Sequence, residues 1–238
     1  MLAKEILEAL QFLSTPEKRD FLPYFFKTGK GEYAEGDQFL GVVVPDSRKV
    51  VKEYWQKASL EDVREVLKPE FHEMRLVALL ILVTQFEKSK DLKEQEKFVN
   101  FYLKSTQYIN NWDLVDLSCY KLLGRYCFDN QRDDVLRKLS ASEHMWEKRI
   151  AIVATMYYIK KGNSYDLTQE LVLNNLQHPH DLMHKANGWL LREVGKKDEE
   201  ILLDFLKIHY QKMPRTTLRY AIEKFDEDLR QDFLKGRI

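Results

Sequence analysis

Little in this sequence makes turns. Nine glycines and six prolines among 238 residues are too few for an all-β architecture with its many tight reversals. Cysteine is nearly absent too. Cys119 and Cys127 are the two present, both within one predicted helix, and a rise of 1.5 Å per residue sets their Cα atoms about 12 Å apart, too far for a disulfide. They read as core thiols of a reducing compartment. Net charge is missing as well: 38 Lys and Arg balance 38 Asp and Glu. The basic surplus usual in proteins that grip nucleic acid is therefore not there, and any basic surface must be local. The longest apolar run, Leu76 to Val83, is too short to span a bilayer. The opening MLAKEILEALQFL sets Leu2, Ile6, Leu10 and Leu13 at helical spacing between charges, an amphipathic helix and not a signal peptide. A cytoplasmic protein is expected. No glycine-rich phosphate loop, nucleophile elbow or Cys-x-x-Cys pair occurs.

What is there is helix. Hydrophobic residues make up 44% and charged residues 32%, a globular composition. Periodicity predicts helices over 2–13, 16–27, 46–57, 60–68, 71–87, 91–109, 112–127, 131–140, 144–161, 165–176, 180–195, 198–212, 214–225 and 226–236. Breaks fall at clusters such as KTGKGE, DNQRDD and HPHD, rich in residues that end helices. FLGVVVP at 39–45 fits either a short strand or a connector into a helix opened by Pro45.

Five segments align with one another: EMRLVALLILV, NWDLVDLSCYKLL, EKRIAIVATMYYI, MHKANGWLLREV and TLRYAIEKF. Their anchors, Arg75, Trp112, Arg149, Lys185 and Arg219, are spaced by 37, 37, 36 and 34 residues. Each period holds one such helix and a second, amphipathic one, the pattern of stacked HEAT-like hairpins. One hairpin cannot bury its apolar face alone; stacking gives a continuous core. The expected fold is all-α: a right-handed α-solenoid of antiparallel helix pairs with a concave groove. It would be a single repeat domain over 1–238, less regular over 1–57 and repetitive from about 58 onward. Residues at and just after the anchors should line the groove.

Those residues are unusual company. NNWDLVD sets Asn111 where it can cap, an acid in the first turn where the helix dipole favours it, and Trp112 and Asp116 one turn apart on one face. Arg149 follows in the next repeat. Lys185, Trp189 and Arg192 then form one stripe of one helix. Each tryptophan could simply pack the hairpins and each charge be solvated, since large aromatics are mostly buried. Two tryptophans among Arg, Lys and Asp also suit a cationic or π-rich ligand beside phosphates. Residues 205–224 add Lys207, Lys212, Arg215, Arg219 and Lys224 against Glu223. This is either a solvated face or a phosphate stripe, with Arg215 at a helix start where N–H groups attract anions. His180 and His184 have zinc-like i, i+4 spacing, yet a third ligand and a catalytic glutamate are missing, so surface histidines at a helix start are the plainer reading and no metal is expected.

Taken together, HEMRLVALLILV, NWDLVD, WEKRIAIVAT, KANGWLLRE and PRTTLRYAIEKF, with GVVVPDSRKV near the N-terminus, resemble the AlkD-type DNA alkylation repair glycosylases over nearly the whole chain. The resemblance implies a monomer that holds double-stranded DNA containing alkylated bases in its concave face. It implies hydrolysis of the N-glycosidic bond of positively charged N3- or N7-alkylated purines in base excision repair, with no metal or organic cofactor. It implies that Trp112, Asp116 and Trp189 are catalytic, that Arg149 supports them, and that Tyr33 matches a family tyrosine, although GKGEYAEGDQ departs from the family pattern there. Arg149, Lys185 and Arg192 would hold phosphates or orient Asp116, and Arg215 and Arg219 would contact phosphates. It further implies that the base need not be flipped, and a solenoid groove offers no obvious deep pocket. A non-catalytic relative that binds damaged or branched DNA, and a protein-interaction scaffold, are the competing readings; neutral net charge favours the scaffold.

Overall fold

Helix termini are written into the sequence as caps, and the computed structural model, which describes residues 2–162 and 164–238, uses them. After α1 (Leu2–Leu13), Thr15 caps α2 (Pro16–Phe25) by accepting from the Lys18 N–H, with Pro16 at the first helical position. α3 (Val44–Tyr54) follows the connector. Ser59 and Asp62 form a reciprocal capping box on α4 (Leu60–Leu67). α5 (His72–Lys88) is buried on every side from His72 to Val83, as a helix apolar all round must be. Asp91 caps α6 (Leu92–Lys104), and α7 (Trp112–Cys119) comes next. Beyond it run α8 (Arg125–Asp129), α9 (Asp133–Ser140), α10 (Met145–Ala154), α11 (Met156–Lys161), α12 (Asp166–Asn174), α13 (Asp181–Gly195), α14 (Glu199–His209), α15 (Arg215–Ala221) and α16 (Glu227–Lys235). Helix is the regular structure of the described residues; an isolated bridge between Gln38 and Phe71 is the nearest approach to a strand. The all-α expectation is met.

The chain divides into two compact units, residues 1–118 and 119–238. In the first, α5 is the core, with α3, α4 and α1 packed against it. In the second, α10 packs on α9 and α13, and α13 packs on α14 and α15. Consecutive helices thus pair, as the repeat spacing requires.

Four predicted helices are interrupted among the described residues, that over 198–212 by passing at His209 into a 3-10 turn at Tyr210–Lys212. The helix over 91–109 ends at Lys104 and is followed by a 3-10 turn at Thr106–Tyr108. The helix over 112–127 passes through a π-helical turn at Tyr120–Gly124. At its end a Cβ on Gly124 would overlap the Ala154 carbonyl oxygen, so the wider turn and the missing side chain together allow two backbones to touch. The helix over 144–161 breaks at Thr155, whose hydroxyl and N–H both reach the Ile152 carbonyl, at 2.7 and 3.1 Å.

The segment 39–45 is a connector. The buried Glu73 carboxylate accepts the N–H groups of Leu40, Gly41 and Val42 at 2.9, 2.9 and 3.1 Å. These donors would otherwise be unpaired. Gly41, at φ +90°, fits because a Cβ there would sit 2.6 Å from the Arg19 nitrogen.

Candidate active site

The start of α7 is fixed from two directions. Asn111, fully buried, accepts the Trp112 N–H at 2.8 Å. Asp113, also buried, accepts the Leu114 N–H at 2.8 Å and lies 2.8 Å from His72 Nε2 at the start of α5. Its place in the first turn reads locally as a dipole partner; its structural role is this ion pair.

Behind it lies a buried charge network. His72 Nδ1 is 3.6 Å from Asp37, and the Arg75 guanidinium is 2.8 Å from the same Asp37 oxygen. Burial works against a charged imidazole, and Arg75 adds to that. The charge and hydrogen bond of Asp113 and the adjacent Asp37 outweigh both, raising the His72 pKa to about 9. For Asp37, burial acts to raise the pKa, but His72 and Arg75 together hold it below its ordinary value. At neutral pH the two acids and two bases therefore balance. No sequence pattern links His72 to Asp113, forty-one positions on.

Trp112 is half-buried and held by aromatics. Phe26 stacks on it at 5.3 Å, Phe25 meets it edge-on at 6.0 Å, and its Nε1–H donates to the Tyr33 hydroxyl at 3.2 Å. Phe26 also stacks on Phe39, and both rings pack on His72. The network and the indole are thus two sides of one wall. The wall bounds a cavity of about 400 Å³ whose surface is almost wholly apolar: Leu22, Phe25, Phe26, Phe39, Val42–Pro45, Leu76 and Leu117, with Trp112 and the half-buried Asp116 on its lining. A pocket of this kind was not expected.

The structure therefore brings Trp112, Asp116 and Tyr33 together in the first unit. The other predicted residues belong to the second unit. Arg149 is only 4% exposed and donates to the Leu182 carbonyl in the first turn of α13. Arg75, the equivalent anchor in the first unit, is 6% exposed. For Arg75 and Arg149 the expectation of a groove-lining side chain is corrected, while the anchor Arg219 is exposed: a guanidinium suits a buried helix junction because it can satisfy several acceptors at once. Lys185 pairs with Asp181 at 2.7 Å, and Arg192 with Glu223. Trp189 is half-buried beside Gly188, where a Cβ would lie 2.5 Å from both Thr217 O and Tyr220 Cβ. Gly188 thus lets α13 and α15 approach closely. Arg215 donates to the Leu234 carbonyl at 3.0 Å, and Arg219 is exposed. Lys207 and Lys224 in the expected basic stripe pair with Asp204 and Glu223.

The histidines around 180 do structural work. His180 Nδ1 accepts the Leu182 N–H at 3.1 Å, and His184 Nε2 bonds the His178 carbonyl at 2.6 Å. Burial lowers the pKa of both His178 and His180. Among the described residues no group of three or more His, Cys, Asp or Glu could hold a metal ion, and no helix is long and apolar enough to cross a membrane.

Paired helices define an all-α repeat protein, and the indole–carboxylate face is a candidate site at a helix start. The family model described as DNA alkylation repair enzyme matches residues 6–225, and the chain belongs to that family. Its role is in the repair of alkylation damage to DNA, which implies DNA binding. A solved structure described as a predicted DNA alkylation repair enzyme from Enterococcus faecalis has the same fold, with a TM-score of 0.70 at 17% identity, over 92% of this chain and 99% of that one. No curated protein matches the sequence.

Proposed function

We propose that this protein is a DNA glycosylase that hydrolyses the N-glycosidic bond of cationic N3- or N7-alkylated purines in duplex DNA. The observation that carries the reading is the face of α7, where Trp112 and Asp116 line one cavity and the indole is clamped by Phe26 and Tyr33.

The chemistry needs little else. An alkylated purine already carries positive charge. When its bond to C1′ breaks, the bonding pair goes to the base and neutralises it, and the sugar becomes an oxocarbenium ion. Water adds to C1′ and loses a proton. A carboxylate held beside the sugar stabilises the cation electrostatically, and apolar surroundings strengthen that interaction. Asp116 takes this role and can also orient the water. The exposed part of the Trp112 ring supplies a π-face for sugar or cation. The family resemblance gives Trp189 a similar part, while Lys185, Arg192, Arg215 and Arg219 supply phosphate contacts. Arg149, being buried, acts by holding the start of α13. The test is incubation with duplex DNA containing N7-methylguanine and assay of free base; intact DNA after many hours with folded protein would refute the reading.

A further inference from the structure

Many cations of the second unit are paired with acids. Arg137 holds Glu170, Lys185 holds Asp181, Lys196 holds Glu193 and Lys224 holds Glu223. Three lysines depart from this. Among the described residues Lys121, Lys160 and Lys161 form no ion pair, and they lie against tyrosine rings instead. The Lys160 ammonium is 4.3 Å from the centre of the Tyr120 ring, the Lys121 ammonium is 5.9 Å from the same centre, and the Lys161 ammonium is 5.2 Å from that of Tyr157. We propose that Lys121 and Lys160, gathered at the Tyr120 ring, form a binding site for a phosphate group. Neither the anchor positions nor the run at 205–224 supplies these residues. The site needs a phosphate and not base hydrolysis, so it stands apart from the glycosylase reading.

The fold assembles the pair from two elements. Tyr120 and Lys121 open the π-helical turn, and Lys160 lies in the last turn of α11, which packs on it. Two like charges beside one ring repel each other. Desolvation and then the Lys121 charge push the Lys160 ammonium below its ordinary pKa. Glu193 acts the other way on Lys160, but it is engaged by Lys196 at 2.7 Å and by Arg192 at 3.7 Å. A ring quadrupole attracts a cation yet carries no net charge, so the repulsion stays until an anion arrives. A phosphate suits the place best. Its tetrahedral oxygens can accept from two ammonium groups that come from different sides, and an ammonium is a compact charge with three rotatable donors. A carboxylate offers two oxygens in one plane, the shape that a guanidinium fork matches. The half-buried rings of Tyr120 and Tyr157 give flat faces to a sugar or base beside that phosphate.

The experiment has two arms. In the first, NMR of the lysine-labelled protein follows the Cε signals during titration with inorganic phosphate at constant ionic strength. The Lys121 and Lys160 signals, assigned from Lys→Arg variants, should shift together and saturate, while exposed Lys138 should not. The Lys160 titration midpoint should rise in phosphate, because an anion favours the charged ammonium. Lys121→Gln or Lys160→Gln should weaken the phosphate affinity about tenfold, as loss of a charge-assisted hydrogen bond does. In the second arm, the salt dependence of duplex DNA affinity is measured. If the phosphate is that of DNA, each Gln variant should lower the slope by about one unit, and each Arg variant should restore it. Saturable inorganic phosphate with unchanged slopes assigns the site to a free phosphate ester. Lysine signals that respond no more than Lys138, together with unchanged slopes, overturn the proposal. Base release is not a readout in either arm, so failure of the glycosylase reading leaves this test intact.

Discussion

Raising the pH removes the proton that balances the network behind Trp112, and the first unit should weaken as it goes. His72 has an ordinary pKa of 6.5 and a folded value of about 9. The folded state therefore binds this proton more tightly than the unfolded chain. Such a group contributes its full stabilisation below pH 6.5 and loses it as pH rises through 9. The two values, at 1.36 kcal/mol per unit, correspond to about 3 kcal/mol. His72 is only 2% exposed, so solvent screening does little to reduce this. Stability of the first unit should fall by up to about 1.4 kcal/mol per pH unit between 6.5 and 9, then level off. The lowered pKa of Asp37 acts in acid, outside that window. Hydrogen exchange of the α5 amides, corrected for intrinsic rates, reports opening around this network. Asp113→Asn should cost about 3–5 kcal/mol at pH 7, as loss of one partner of a buried pair does, and should flatten the slope. A flat wild-type profile from pH 6 to 9.5, or an undiminished slope in Asp113→Asn, would refute the account of this network.

Three further outcomes follow from other contacts. Gly188→Ala should destabilise the second unit by about 1–3 kcal/mol, because the new methyl would press on Thr217 and Tyr220; urea denaturation checks it, and an unchanged midpoint would mean that the α13–α15 approach is looser than described. Tyr33→Phe removes the acceptor of the Trp112 Nε1–H and should cost about 1 kcal/mol. It should also slow base release several-fold, and rates equal to wild type would show that the clamp does not matter to catalysis. DNA affinity should fall steeply with salt as phosphate contacts release counterions. Arg219→Gln should lower the slope by about one unit, and an affinity indifferent to salt would remove the basic residues from the interface.

Much of the fold was legible because its signals are local. Pro16, the Ser59–Asp62 box and Asp91 mark helix starts within a few residues of where they act, and the spacing of the anchors gives the pairing. The breaks at 120–124 and 155 were not legible: the first ends where Gly124 comes against Ala154, thirty positions away, and the second is marked only by Thr155 bonding back to the Ile152 carbonyl. At the site, Trp112 and Asp116 stand out by spacing on one helix face. Tyr33 came only from family resemblance, and its bond to Trp112 spans 79 positions. Asp113 does sit in the first turn of α7, but nothing near it in sequence points to its pairing with His72. The anchor arginines look like groove residues in a one-dimensional repeat, but burial is a property of the packed helices, and packing turns Arg75 and Arg149 inward. In the basic run at 205–224, Lys207 pairs with Asp204, one position before the run, and Lys224 with Glu223 inside it.

The central claim is that Asp116 stabilises charge that reaches the sugar only in the transition state. Asp116→Asn keeps the shape and removes the charge. Single-turnover release of N7-methylguanine from duplex DNA, measured with the folded variant at saturating protein, should fall about 10²–10³-fold, the typical cost of losing one preorganised electrostatic group, while DNA affinity stays within about twofold. Release at the wild-type rate would contradict the account and leave Asp116 with no part in the chemistry.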